Sequence, residues 1–187
     1  MDIKWGSKEA HAFITNVGLI TSNGPNGQNI MAAEFTHLIS YSPGLIAVCI
    51  RSGKATHDNI HASKEFGVNI ASLGQNVLSS ISGGSTGKEY NKIKALEELG
   101  YKFHKGKKIG ALMVEGAKAN FECKLMQELT PGSHTIFIGE VVEATVDGKQ
   151  KPIAYSEGQY GTVHFDITKS SDEEKQKQNE VLAKNKK

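Results

Sequence analysis

Apolar and β-branched residues gather in short stretches along the chain, each closed by a turn signal. Residues 12–22, AFITNVGLITS, run into NGPNG, the pattern of a strand entering a tight turn. QNIMAAEF (28–35) and GLIAVCIR (44–51) read as two more strands, with Pro43-Gly44 marking a turn between them. FGVNIAS (66–72) predicts another short strand. From residue 117 to 127, Ala119, Phe121, Cys123 and Leu125 alternate with Asn120, Glu122 and Lys124, which predicts a half-buried strand. SHTIFIGEVVEATVDG predicts a long strand in which Gly139 makes a bulge or bend, and GTVHFDI a last one.

Helical spacing is rarer. Thr56 is placed to cap a short helix through HDNIHASKE. Val77, Leu78 and Ile81 make a second short apolar face. In KEYNKIKALEEL, Tyr90, Ile93, Leu96 and Leu99 recur at helical spacing, and Gly100 stops the helix. At least six strands with so few helices between them predict a mostly β fold, an antiparallel barrel flanked by short helices. A doubly wound parallel sheet would need a helix after nearly every strand.

Composition narrows this picture. The 187 residues suggest one domain with a real core, and 20 glycines against 4 prolines favour a turn-rich chain. No apolar run approaches the ~18 residues that span a bilayer. The N-terminal MDIKWGSKEA lacks the basic start and apolar stretch of a signal peptide, so a cytoplasmic protein without a membrane partner is expected. The net charge of +2 sits entirely in the last 20 residues, which hold six lysines and four acids. A nucleic-acid binder would carry its basic excess on the folded part, so nucleic acid is not an expected partner. Residues 1–167 form the expected domain; 168–187 are too polar to join its core and are expected to be a mobile tail or a solvated helix, lying free or on a partner subunit.

Candidate chemistry lies in the turns. SISGGSTGKEYNK (80–92) holds the glycines, hydroxyls and lysine of a phosphate loop. The nucleotide pattern G-x-x-x-x-G-K-[S/T] nevertheless fails at Ser82, where a glycine is needed, and at Glu89, where a hydroxyl is needed. The loop reads as an anion nest or as a surface loop between helices. Arg51, Ser52, Lys54 and Thr56 set two cations and two hydroxyls beside a helix start, again an anion site or an ordinary turn. His57 and His61, four apart, have metal-ligand spacing but no third ligand nearby, so a surface or capping role is expected and no metal. His134 follows a Pro-Gly turn at a strand mouth, where it faces either a pocket or solvent. Cys49 and Cys123 sit among apolar residues and read as buried small hydrophobes.

Three of these stretches, in order and spacing, resemble the flavin reductase-like family of FMN-binding split barrels: NIMAAEFTHLISYSPGLIAVCIR, KATHDNIHASKEFGVNIAS and ANFECKL followed by PGSHTIFIGEV. The resemblance covers roughly residues 10–165, and SGGSTGKEYNK is similar to a segment of the flavoredoxin-like branch. It differs at Ala32, where the family has Thr, at Gly44 for a second Pro, at Phe121 for Leu, at Ser82 for Cys, at Asn91 for Asp and at Ser133 for Asp. The resemblance implies a homodimer with FMN at the interface. It assigns Asn29, Met31, Ala32 and Ala33 to the flavin ring and ribityl chain, and Arg51, Ser52, Lys54 and Thr56 to the phosphate. Ser82, Ser85, Lys88 and Lys92 would close over the flavin, and His134 would stand on the nicotinamide or acceptor side. It further implies an oxidoreductase passing electrons from NADH or NADPH through FMN to free flavin, ferric ion or a redox partner protein. The alternative is a flavoredoxin-like FMN electron carrier with no NAD(P)H site of its own. A third reading keeps the barrel for binding or structural roles only.

Overall fold

The computed structural model describes residues 1–4 and 6–186. In chain order the elements are α1 (Lys8–His11), β1 (Thr15–Asn16), β2 (Gly18–Ser22), β3 (Asn29–Ala33), β4 (Thr36–Tyr41), β5 (Gly44–Ile50), α2 (Ala55–Ser63) and β6 (Glu65–Ile70). Then follow α3 (Asn76–Gly84), α4 (Lys92–Glu98), β7 (Phe103–Lys105), β8 (Leu112–Val114), β9 (Ala119–Leu129), β10 (Thr135–Val146), β11 (Ile153–Ser156), β12 (Gln159–Thr162) and α5 (Asp172–Lys184).

Seven strands form one antiparallel sheet in the order β3-β2-β6-β9-β10-β5-β4. Its edge strands, β3 and β4, are neighbours in the chain, separated only by Glu34 and Phe35. Two residues cannot cross a flat seven-stranded sheet, because strands lie about 4.8 Å apart. The sheet therefore curls until its edges meet, as a split barrel. The close approach is visible at Gly18 of β2, where any side chain would overlap Thr36 of β4. A second device bends β10. The ladder to β9 slips between Ile138 and Gly139, and a Cβ at Gly139 would lie 2.6 Å from Phe66 Cζ.

Because β2 is buried on both faces, its side chains feed two cores alternately. Ile20 joins Val48, Ile50, Ile60, Phe66, Val68, Cys123 and Phe137 on one face. Leu19 joins Ile30, Leu78, Ile93, Leu96 and Val114 on the other, so α3 and α4 are pinned to the sheet through Leu78, Ile93 and Leu96.

Several sequence expectations are corrected. AFITNVGLITS is two strands rather than one: β1 pairs with β11 in a small separate sheet, and β2 joins the barrel. β4 and β11 are strands the pattern missed, and β4 lies between the two segments expected to be joined by the Pro43-Gly44 turn alone. Only the first two residues of GTVHFDI are strand, in β12; Phe165 and Ile167 beyond it are 93% and 92% exposed. The helix expected over KEYNKIKALEEL excludes Tyr90 and Leu99: α4 holds seven residues, with Asn91 capping Lys94 N–H at 3.0 Å, while Gly100 does end it in a left-handed conformation. Glu122, expected on a solvated face, is 4% exposed, and its carboxylate accepts the N–H groups of Lys107, Lys108 and Ile109. In the tail, α5 is a helix with a Ser171–Glu174 capping box and no buried residue. Among the described residues, no helix is long and apolar enough to cross a membrane.

Candidate functional site

Where β3 begins, α2 begins and α3 ends, the chain encloses a small polar pocket. Asn29, Met31, Lys54, Thr56, Ser82, Ser85 and Lys92 line it, together with Ala55, Gly83, Thr86 and Gly87. The fold brings these together by short links. The turn from β5 into α2 runs Arg51–Lys54 with Gly53 at φ +85°, a left-handed conformation suited to glycine. Thr56 does not cap α2, as the sequence predicted. Lys54 holds the cap position without a side-chain bond, and Thr56 is buried one residue inside the helix, its hydroxyl accepting from Asn29 Nδ2 at 2.8 Å. That bond ties β3 to α2 across the pocket floor.

The opposite wall is the end of α3, the following loop and the first residue of α4. Lys92 is 3% exposed, with Nζ donating to the carbonyls of Ser82 at 3.0 Å and Ser85 at 3.3 Å. Burial, aided by repulsion from Lys54, lowers its pKa to about 8. Ser82 Oγ is buried beside it and, among the described residues, has no hydrogen-bond partner. A methyl group at Gly87 would overlap the Asn29 carboxamide, so glycine lets the loop close onto β3. Two amines share this pocket, one of them buried against carbonyls with no carboxylate, and an orphaned hydroxyl stands next to it. That donor set fits an anion, and a phosphate in particular.

The remaining predicted residues lie elsewhere. Ala33 turns into the barrel core and is 7% exposed, so its side chain cannot face the pocket. Ala32 lies beside Gly83, at 3.4 Å from the position of an added Cβ. Arg51 and Ser52 are exposed on the turn. Lys88 pairs with Asp58 of α2 at 2.8 Å and holds the loop shut from its rim. The His134 ring meets the edge of Phe35, centroids 5.7 Å apart, and its Nδ1 lies 2.9 Å from Ser133 Oγ. Burial, then the nearby Arg51, hold its pKa below the usual imidazole value. Phe35 lies two residues beyond the end of β3, so that strand leads from the lysine pocket toward His134 and Arg51. Its four steps cover about 13 Å.

His57 is not at the surface: its ring packs edge-on against Phe137 at 5.1 Å, and Nε2 lies 3.0 Å from Thr135 Oγ1. His61 pairs with Glu128 at 2.7 Å. Cys123 is buried, its thiol pushed up to about 12 by burial and the Glu122 charge; Cys49 is half-buried and shifted the same way.

The family profile described as "Flavin reductase like domain" matches residues 10–164. The chain belongs to the flavin reductase-like family. A relative in Streptomyces globisporus named "NADH-dependent FAD reductase" is 26% identical over 149 residues, 79% of each chain. "FMN reductase (NADH) RutF" of Enterobacter cloacae is 29% identical over 126 residues, 67% of this chain and 73% of that one. Among solved structures, the S. globisporus NADH:FAD oxidoreductase SgcE6 with NAD and FAD fragments superposes with a TM-score of 0.72 at 25% identity, over 83% of this chain and 89% of the other. BorF, the flavin reductase component of a bacterial two-component tryptophan halogenase, gives 0.71 at 25%, over 82% and 92%. The mostly β, curled antiparallel sheet of this flavin reductase-like chain is the fold that these structures share.

Proposed function

We propose that this protein is an FMN-dependent NAD(P)H oxidoreductase that holds the flavin phosphate in the Lys54–Lys92 pocket. The observation that carries the reading is Lys92, a buried amine with only carbonyl partners, beside the unpartnered Ser82 hydroxyl. Among the described residues the Ser82 hydroxyl has no partner and the Lys92 amine has carbonyls but no carboxylate to balance its charge, and a phosphate supplies an acceptor to both and an opposite charge to the amine. When bound, FMN supplies a two-electron centre, able to take hydride from a nicotinamide and pass electrons to free flavin, ferric ion or a protein acceptor.

The chain's own residues then orient and shield. Lys54 and Lys92 hold the anion, Ser82 donates its hydroxyl, and the Asn29–Thr56 bond fixes the floor. Met31 and Ala32 run along the ribityl and ring side, as the family resemblance implies. Arg51, near His134, and Ser52 stand exposed on the turn before α2, and His134 positions the donor or acceptor. Lys88 closes the loop through Asp58 rather than touching the flavin itself. The reading includes a homodimer. Phe35, Leu38, Ile39 and Tyr41, on or beside the edge strand β4, are 48 to 91% exposed, an apolar patch that a second copy would cover.

The test is to load the protein with FMN, exclude oxygen and add NADH or NADPH. Bleaching of the flavin absorbance by either nucleotide supports the oxidoreductase. Bleaching by dithionite alone would leave an FMN electron carrier without a nicotinamide site. No uptake of FMN would overturn the assignment of the pocket. Light scattering on the loaded protein tests the dimer, and a monomer with full flavin occupancy would remove it.

A further inference from the structure

Three consecutive residues at the start of α2 point three ways, as a helical step of about 100° per residue requires. Thr56 binds Asn29 on the pocket floor, Asp58 pairs with Lys88 on the covering loop, and His57 turns onto the barrel. The His57 ring is held there. It packs edge-on against Phe137, a fully buried side chain, and its Nε2 lies 3.0 Å from Thr135 Oγ1. Thr135 opens β10, and its hydroxyl lies 2.8 Å from that of Thr130, just beyond β9. The other ring nitrogen is unsettled. Nδ1 is buried, has no hydrogen-bond partner among the described residues, and lies 3.5 Å from Asp58 Oδ1.

A carboxylate oxygen only accepts, so the nitrogen beside it bears the hydrogen. In the neutral ring Nε2 then accepts from the Thr135 hydroxyl, and Thr135 accepts from Thr130. That order keeps the Nδ1–H toward Asp58. A buried donor without a partner is costly, and closing the short gap to Oδ1 removes the cost. The ring therefore draws one carboxylate oxygen inward while Lys88 meets the other, Oδ2, at 2.8 Å. Lys88, and less strongly His57, hold the Asp58 carboxyl below the usual carboxylate range, with burial opposing them. We infer that His57 is a positioning residue: anchored through Thr135, it aims the Asp58 carboxylate at Lys88 and so sets how long the loop stays closed over the flavin. This rests on reading the pocket under the loop as the flavin phosphate site. The latch acts on the loop and not on the phosphate, so it slows the exit of any flavin that the pocket holds.

The experiment is a double-mutant cycle of His57→Gln and Lys88→Met with two readouts. Gln keeps a polar atom for Thr135 and removes the donor to Asp58. One readout is the dissociation rate of FMN and of riboflavin by stopped-flow fluorescence. The other is hydrogen exchange of the loop amides between α3 and α4 in the flavin-free protein, with exchange in β6 and β9 reporting the fold. An exposed ion pair contributes up to roughly a 5-fold factor, so Lys88→Met should release both flavins about 2- to 5-fold faster and speed loop exchange to a similar extent. His57→Gln should do the same and add nothing in the Lys88→Met background. Should His57→Gln loosen the barrel, Thr135→Val, which removes the anchor and leaves the ring in place, carries the same cycle with the same expectation. A wild-type dissociation rate in the histidine variant, or effects that add in the double variant, overturn the proposal. Faster release of FMN with riboflavin unmoved also overturns it, because the contact would then be with the phosphate. If the wild type takes up neither flavin, the pocket reading falls, and the exchange cycle alone decides the latch: coupled loop openings sustain it and independent ones remove it.

Discussion

Lys92 gives the sharpest quantitative consequence. Burial lowers its pKa from the ordinary 10.5 to about 8, and at about 1.4 kcal/mol per pH unit this amounts to about 3 kcal/mol held against the charged amine. In the unliganded protein that cost is fully present below pH 8. The unfolded chain keeps its proton up to about 10.5, so the folded state gains stability as pH rises through the window from 8 to 10.5. Phosphate binding reverses the balance. An anion against Nζ favours the ammonium and raises the pKa back toward 10.5, so FMN must bind the protonated form. Affinity is then complete below pH 8 and falls as pH rises through it, by roughly 30-fold between pH 7 and 9.5 if the full shift is recovered.

Fluorescence titration with FMN at half-unit steps of pH measures this directly, and riboflavin, which lacks the phosphate, controls for titration of the ring. The wild type should lose FMN affinity on that curve while riboflavin stays level. Lys92→Met keeps the aliphatic stem, removes the titrating group and should bind FMN weakly at every pH with no such slope. An FMN affinity that is level across the range, or one that falls equally in Lys92→Met, would refute both the buried ammonium and the phosphate assignment.

Lys54→Ala should weaken FMN about 10-fold or more and riboflavin hardly at all, since a charged hydrogen bond contributes about 1.5–3 kcal/mol; parallel titrations check it. Ser82→Ala removes an unpartnered buried hydroxyl and should stabilise the flavin-free protein by about 1 kcal/mol, raising Tm by about 2–4 °C in a thermal melt, while lowering FMN affinity. Gly139→Ala should destabilise by about 1–3 kcal/mol, seen as a lower urea midpoint, because its Cβ has no room beside Phe66 and Cys123. His134→Ala should slow anaerobic flavin reduction by NAD(P)H in a stopped-flow trace and leave FMN affinity unchanged.

The barrel was legible because its strands carry period-two patterns bounded by turn residues, and because Gly139 announced the bulge. What failed did so for tertiary reasons. β4 is an edge strand exposed on much of its length, so THLISY lacks the alternation of a half-buried strand. Phe165 and Ile167 have strand-like composition but no neighbouring strand to pair with, and composition cannot supply one. Glu122 keeps the polar half of an alternating pattern, yet it is buried because a distant loop turns three N–H groups onto it. No local signal distinguishes a carboxylate facing water from one facing backbone amides.

The site was legible in its ingredients and not in their arrangement, and the lysines of KEYNKIK explain why. Family resemblance named Lys88 and Lys92 together as residues that close over a flavin. Helical geometry separates them. Lys92 is four residues before Leu96 and one before Ile93, so in α4 it shares the face that packs on the core. A lysine on that face must either extend its amine to water or find acceptors inside, and the α3 terminus supplies two carbonyls before water can be reached. Lys88 precedes the helix, is held to no face by it, and meets Asp58 at the loop rim. An exposed pair of that kind contributes at most about 1 kcal/mol. It steadies the loop, while the buried amine, with its proton in question near pH 8, is the group whose charge a bound phosphate can change.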